Sequence, residues 1–295
     1  MRLNAMTVDV EDWYMTNGLN VPRSAWHSCE DRIVPSTMRV LDLFERYSVK
    51  ATFFVLGCVA EKHPSLVERI AAAGHEVGTH GQWHRMLTEM SVDEIVEDVM
   101  QSKRVLERIT GKPVRMFRAP SWSITPETYR MLPLLEREGF VCDSSIQPSR
   151  TPLSGIAGAP EEPFHPVVDG RRLDLLEFPA LVFGWGKWKI PFGGGFYLRA
   201  LPYRFVRSAL QQVNLRRPGM IYVHPWEFDP DQPRLRTSPL IRLAQYYRLE
   251  DTAPKLERLL QDFRFATVGE VLSANVFADM PLNVQAGGRM LEEPT

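Results

Sequence analysis

The stretch MTVDVEDWY, residues 6–14, sets three carboxylates, Asp9, Glu11 and Asp12, within four positions beside the apolar Met6, Val8 and Val10. Carboxylates are depleted from strands and costly to bury unpaired, so a run of this kind needs a cation close by. THGQWH offers a complement. His80 and His84, spaced by four, can turn two imidazoles toward one ion from a helical turn, and a carboxylate would complete a three-ligand site with a position left open for water. His pairs at this spacing also occur on solvated helices, and it is the acidic run that favours a metal. FRAPSWS contributes Arg118, whose guanidinium suits the holding of a carboxylate in a fixed orientation. IYVHPWEF ends an apolar run with His224, a residue type that moves protons near neutral pH, and FVCDSS ends another with Asp143. Trp122, Trp185, Trp188, Phe192 and Trp226 could form a rim for the apolar faces of sugars, although isolated aromatics more often pack a core.

These residues must be positioned by regular elements, and the apolar pattern supplies candidates. Short apolar runs stand at 3–10, 50–57, 75–80, 115–120, 140–145, 173–180 and 219–226. Between them lie amphipathic segments: one beginning at Ser36, one with Leu66, Ile70 and Ala73 on one face, and VDEIVEDVMQSKRVLERI. Gly74, Gly111 and Gly139 fall where helices would end. The alternation predicts a parallel sheet or barrel. In barrels of this kind active sites lie at the C-terminal ends of the strands, and Asp9, His80, Arg118, Asp143 and His224 all stand there. Two segments interrupt the pattern, the Pro- and Gly-rich 146–172 and GWGKWKIPFGGGFY at 184–197. Excursions this long in a compact domain are usually functional or disordered, and the second suggests a lid. A single domain is expected over 1–275, followed by a flexible tail at 276–295.

Composition sets outer bounds. The 295 residues are 44% hydrophobic and 24% charged, an ordinary globular balance. Basic and acidic residues number 35 and 36, so the overall charge points to neither a nucleic acid nor a membrane surface as partner. No stretch resembles a signal peptide or a transmembrane segment, and a soluble, cytoplasmic protein is expected. Cys29, Cys58 and Cys142 lack metal or redox spacing and read as reduced, mostly buried thiols.

Taken in order, TVDVED, HGQWH, FRAPSWS, CDSSI and YVHPWEF resemble the successive motifs of the polysaccharide deacetylases, the NodB-homology group of carbohydrate esterases. FGGGFYLRALPY followed by HPWEFDPDQPR is similar to the branch associated with exosortase and exopolysaccharide gene clusters. The resemblance implies an α/β fold, a deformed, incomplete (β/α) barrel of about seven parallel strands, with the long excursion and a C-terminal extension added. It also implies removal of N-acetyl groups from amino sugars of a polysaccharide or its lipid-linked precursor, with one divalent ion, zinc being the one expected. Carried over by position, Asp9 is the general base, His80 and His84 are metal ligands, Arg118 orients the base and His224 is the general acid. Many members carry adjacent aspartates, base then ligand, but here Val10 follows Asp9. The third ligand is then Glu11 or Asp12. Strand periodicity favours Glu11, whereas a strand that has already ended would let Asp12 turn in. Asp143 could hold His224 in its charged form or could simply cap a turn. Two alternatives stand beside the deacetylase, an amidohydrolase for a small C–N substrate and a non-catalytic carbohydrate-binding relative. A glycosidase would leave the His pair unexplained.

Overall fold

The computed structural model describes residues 2–151, 154–185 and 188–282. In chain order its strands and helices are β1 (Leu3–Val10), α1 (Ile33–Arg46), β2 (Thr52–Val55), α2 (Gly57–Lys62), α3 (Pro64–Ala72), β3 (Glu76–Thr79), α4 (Val92–Thr110), β4 (Met116–Phe117), α5 (Leu132–Arg137) and β5 (Cys142–Asp143). They continue with β6 (Phe164–Val168), β7 (Arg171–Arg172), β8 (Leu176–Glu177), β9 (Val182–Trp185), β10 (Trp188–Pro191), α6 (Gly195–Ala200), α7 (Tyr203–Asn214) and β11 (Met220–Val223). The chain closes with α8 (Pro239–Tyr246), α9 (Thr252–Asp262), β12 (Arg264–Ala266), α10 (Val268–Ser273) and β13 (Ala278–Pro281).

The main sheet runs β11-β1-β2-β3-β4-β5-β8-β6-β13, and every pairing from β11 to β8 is parallel. Those seven strands coincide with the seven apolar runs of the sequence, and β12 adds a parallel pairing with β1. Among the described residues the ladder does not close into a ring. Between β11 and the chain after β5, hydrogen bonds outside regular strands take over: Tyr222 donates to Gly193, Phe192 to Leu181, and Ala180 to Ile146. The result is an α/β fold with an incomplete barrel.

Side-chain parity explains how the barrel is filled. Met6, Val8 and Val10 join the outer core shared with Val40 and Phe44 of α1, Leu210 of α7 and Leu256 of α9. Ala5 joins a different cluster with Phe54, Met116, Cys142 and Met220, the inner faces of their strands. Gly78 of β3 belongs to that inner face, because a Cβ there would lie 2.8 Å from the Phe54 ring. Helix ends follow the sequence signals. Ser91 and Glu94 form a capping box on α4, and Gly111 at φ 65° closes the same helix in the left-handed region.

Three expectations are corrected by the fold. The first amphipathic helix begins at Ile33 rather than Ser36, since Pro35 is tolerated in its first turn. The segment 146–172 is not a bare loop. Val168 pairs with Arg171 across Asp169–Gly170, both at positive φ, which makes β6 and β7 a two-residue hairpin. Within the expected tail, Ala278–Pro281 pairs with β6, and residues 283–295 lie outside the described residues. Among the described residues, no helix is long and apolar enough to cross a membrane.

Candidate active site

Strand parity delivers the site residues to one cleft at the C-terminal ends of the parallel strands. On β1 the inner face runs Ala5, Thr7, Asp9, and Glu11 continues it one residue beyond the strand end. His80 follows β3, Arg118 follows β4 and His224 follows β11. The cleft holds about 240 Å³ and is lined by Asp9, Glu11, His80, His84 and His224, together with aromatic walls from Trp122, Tyr222, Trp226, Phe196 and Tyr197.

Glu11, His80 and His84 offer ligand atoms all within 4.8 Å of one another, and all three side chains are buried. Glu11 Oε2 contacts His84 Nε2, yet that carboxylate oxygen and His84 Nδ1 have no hydrogen-bond partner among the described residues. His80 Nδ1 is engaged by the Arg118 carbonyl at 2.8 Å, which fixes the ring and turns Nε2 toward the cleft. Burial pushes the His80 imidazole down to about 4, so it is neutral and able to ligate. Burial alone would raise the Glu11 carboxyl, but the imidazoles of His84, His224 and His80 outweigh it and hold the group far below the usual carboxylate range. Two imidazoles and one carboxylate, with orphaned buried atoms on Glu11 and His84, are a donor set that fits a divalent cation such as zinc. The His pair is not on a helix, as its spacing suggested. The chain bends at residues 82–83, Gly81 and His84 on either side both take positive φ, and the two rings stand 5.2 Å apart.

Asp12 is excluded from this cluster. Its carboxylate accepts the backbone N–H of Trp13 and of Arg32, each at 2.8 Å, and so ties the end of β1 to the entrance of α1. Asp9 instead faces Arg118, whose Nη1 donates to Oδ1 at 2.6 Å. Arg118 is fully buried, and its remaining donors reach Thr7 Oγ1, the Ser144 carbonyl and Ser144 Oγ. The Trp122 ring lies 4.7 Å beneath the same guanidinium.

His224 Nε2 stands 3.9 Å from Asp9 and 3.8 Å from Glu11. Its other nitrogen, Nδ1, meets Glu227 Oε2 at 2.9 Å, and the His224 backbone N–H donates to the same oxygen. Burial alone would lower the imidazole, but the Glu227 contact, followed by the charges of Glu11 and Asp9, raises it to about 9. Glu227 in turn accepts from the buried Arg199 Nε at 2.8 Å. Asp143 is therefore not the partner of His224. Parity sends Cys142 and Ser144 inward and Asp143 to the opposite face, where Ser145 Oγ donates to it and Glu177 is its neighbour. Burial raises both of those carboxyls. Trp226 stacks on His224 with 5.2 Å between centroids and donates its indole N–H to Glu11 Oε1 at 3.0 Å. Trp122 and Trp226 thus line the cleft, Phe192 packs the outer core, and the side chains of Trp185 and Trp188 lie outside the described residues. Glu227 was legible as an acid one 3-10 turn after His224, and Arg199 carried no comparable signal.

Residues 21–137 match the family profile described as Polysaccharide deacetylase. Over this span the chain is similar to the polysaccharide deacetylases. The matched span carries His80, His84 and Arg118, while Asp9 and Glu11 precede it. A second profile, described as a domain of unknown function (DUF3473), matches residues 144–273 and contains His224, Glu227 and Arg199. Among curated relatives, a peptidoglycan-N-acetylglucosamine deacetylase of Bacillus cereus is 38% identical over 84 residues, 28% of this chain and 30% of that protein. A peptidoglycan-N-acetylglucosamine deacetylase of Listeria monocytogenes is 30% identical over 136 residues, 43% of this chain and 29% of that protein. The chain therefore spans less than a third of either relative. A Mycobacterium smegmatis crystal structure assigned to the polysaccharide deacetylases superposes with a TM-score of 0.59 at 19% identity, covering 99% of this chain and 94% of that one. The polysaccharide deacetylase fold thus extends over both profile matches.

Proposed function

We propose that the chain is a metal-dependent hydrolase that removes N-acetyl groups from amino sugars of a polysaccharide or its lipid-linked precursor during exopolysaccharide biosynthesis, with the cytoplasm as its expected compartment. The observation that carries this is the juxtaposition of the Glu11, His80 and His84 cluster with the Asp9–Arg118 pair and His224 in one cleft. The N-acetylglucosamine in the names of the Bacillus and Listeria relatives supports the same substrate class.

Glu11, His80 and His84 would hold the ion, which when bound supplies the positive charge that polarises the acetyl carbonyl and acidifies a water. Asp9 takes the proton of the attacking water, and Arg118 holds its carboxylate in place. Water oxygen bonds to the amide carbon, and the C–N bond then breaks. His224, held charged by Glu227, gives its proton to the departing amine, so acetate and a free amino sugar result. Aromatic walls at Trp122, Tyr222 and Trp226 suit the apolar face of a pyranose ring, which favours a saccharide over a small polar amide.

The test is acetate release from N-acetylglucosamine oligosaccharides by the wild type and by Asp9→Asn. The variant is expected to keep its ion and lose about 10²- to 10⁴-fold in rate, the usual cost of a positioned base. Acetate release at the wild-type rate would remove Asp9 from the reaction, and release from small amides alone would favour the amidohydrolase.

A further inference from the structure

Beside the cleft lies a surface that the hydrolytic chemistry leaves unused. Between Asp231 and Glu250 the chain carries Arg234, Arg236, Arg242 and Arg248 and no acidic residue. α8 sits in this segment, with Ser238 capping its N-terminus by accepting from Ile241 N–H. It buries Gln245 and Tyr246 while leaving Leu240 77% and Leu243 46% exposed, with Leu235 and Tyr247 each at 38%. Positions 240, 243 and 247 follow the three- and four-residue spacing of one helical stripe. Arg234, Arg236 and Arg242 make no ion pair among the described residues, whereas Arg248 pairs with Asp251. Exposed leucines ringed by unpaired arginines are the composition of a helix that lies in the headgroup region of a bilayer. The near-zero charge of the whole chain conceals this, because the patch is local.

The patch is also held in fixed relation to the catalytic cleft. Arg199, which grips Glu227, donates to the carbonyls of Ala244, Gln245 and Tyr247 at the end of α8, and Ala244 itself lines the cleft. We infer that the α8 face docks on an anionic lipid surface, Leu240 and Leu243 entering the headgroup boundary and the arginines meeting headgroup phosphates, so that the cleft mouth is presented to saccharide carried at the membrane. Docking itself does not depend on the deacetylase reading. Only the identity of the saccharide in the cleft rests on it.

Flotation of the full chain with phosphatidylglycerol-containing vesicles, against phosphatidylcholine vesicles alone, tests this. Binding is expected only to the anionic vesicles and should weaken as salt is raised. Leu240→Asp with Leu243→Asp should weaken it tenfold or more, and each of Arg236→Ala and Arg242→Ala by about fivefold. Acetate release from a soluble oligosaccharide should stay unchanged in these variants, since none of those residues lines the cleft. A wild type that ignores anionic vesicles, or variants that bind them undiminished, would overturn the inference. A concentration-dependent dimer lost in the same variants, without vesicle binding, would assign the face to a second copy. Failure of the deacetylase reading would appear in acetate release and leave flotation untouched.

Discussion

Glu11 and Asp12 are neighbours in sequence with opposite surroundings. Glu11 keeps an oxygen without a hydrogen-bond partner beside two imidazoles, whereas Asp12 is saturated by the N–H groups of Trp13 and Arg32. Glu11→Ala should therefore abolish ion binding, while Asp12→Ala should weaken it by at most about 10- to 100-fold, as loss of an outer partner does. Elemental analysis of the two purified variants separates these outcomes, and an ion retained by Glu11→Ala but lost by Asp12→Ala would reverse the assignment. Burial raises the Asp12 carboxyl to about 7, against the N–H donors of Arg32 and Trp13, which lower it. The acid on the other side of the cleft depends on Glu227. His224, raised to about 9, is protonated and competent below that pH and loses its proton above it. Glu227→Gln removes the leading support for the charge, so the alkaline limb of kcat/KM should move toward acid and the rate at neutral pH should fall. An alkaline limb unmoved in Glu227→Gln would return Glu227 to a structural role. The sequence could name His224 without naming this partner, because Asp143 and Glu227 both stand near strand ends. Parity decides between them: with Cys142 inward, Asp143 must point out.

At the scale of the elements, β3 carries a stability device at one end and the His80 ligand candidate at the other. His75, just before the strand, accepts the Ala51 N–H at Nδ1 (3.1 Å) and packs against the rings of Phe44 and Phe53. Burial, with a smaller push from Lys50, lowers its imidazole to about 4. The folded value lies below the unfolded one, near 6.5, so the unfolded chain binds more protons between the two. Stability from this group is complete above about pH 6.5 and is lost as pH falls through about 4. Urea midpoints across this range should fall less steeply in His75→Gln than in the wild type, and parallel profiles would show that His75 contributes nothing. The seven parallel strands were legible because each is a short apolar run and almost every one is closed by a polar residue, and α4 because its cap and its glycine flank a regular stripe. The β6–β7 hairpin was also written in the sequence, as Asp169–Gly170 between Val167–Val168 and Arg171–Arg172, but the density of Pro and Gly around it reads as loop. β9 and β10 form a two-stranded sheet of their own, and nothing in the periodicity of GWGKWKIP separates such a ribbon from a lid.

Across the whole molecule, residues from β1, β3, β4 and β11 converge although 215 positions separate Glu11 from Trp226, whose indole holds it. That convergence was foreseeable from the rule that parallel strands present their C-terminal ends together, and most of the site was therefore readable. What could not be read were contacts set by tertiary approach alone, such as Arg199 reaching Glu227 and the backbone of α8 at once. The central claim is that an ion held by Glu11, His80 and His84 drives hydrolysis of an N-acetyl group. It is tested most directly by stripping the protein with chelator, confirming by elemental analysis that it is metal-free, and measuring acetate release from an N-acetylglucosamine oligosaccharide while zinc is titrated back. The account predicts no release at the start and a rise that levels off at about one ion per chain. Full acetate release from the metal-free protein would contradict it.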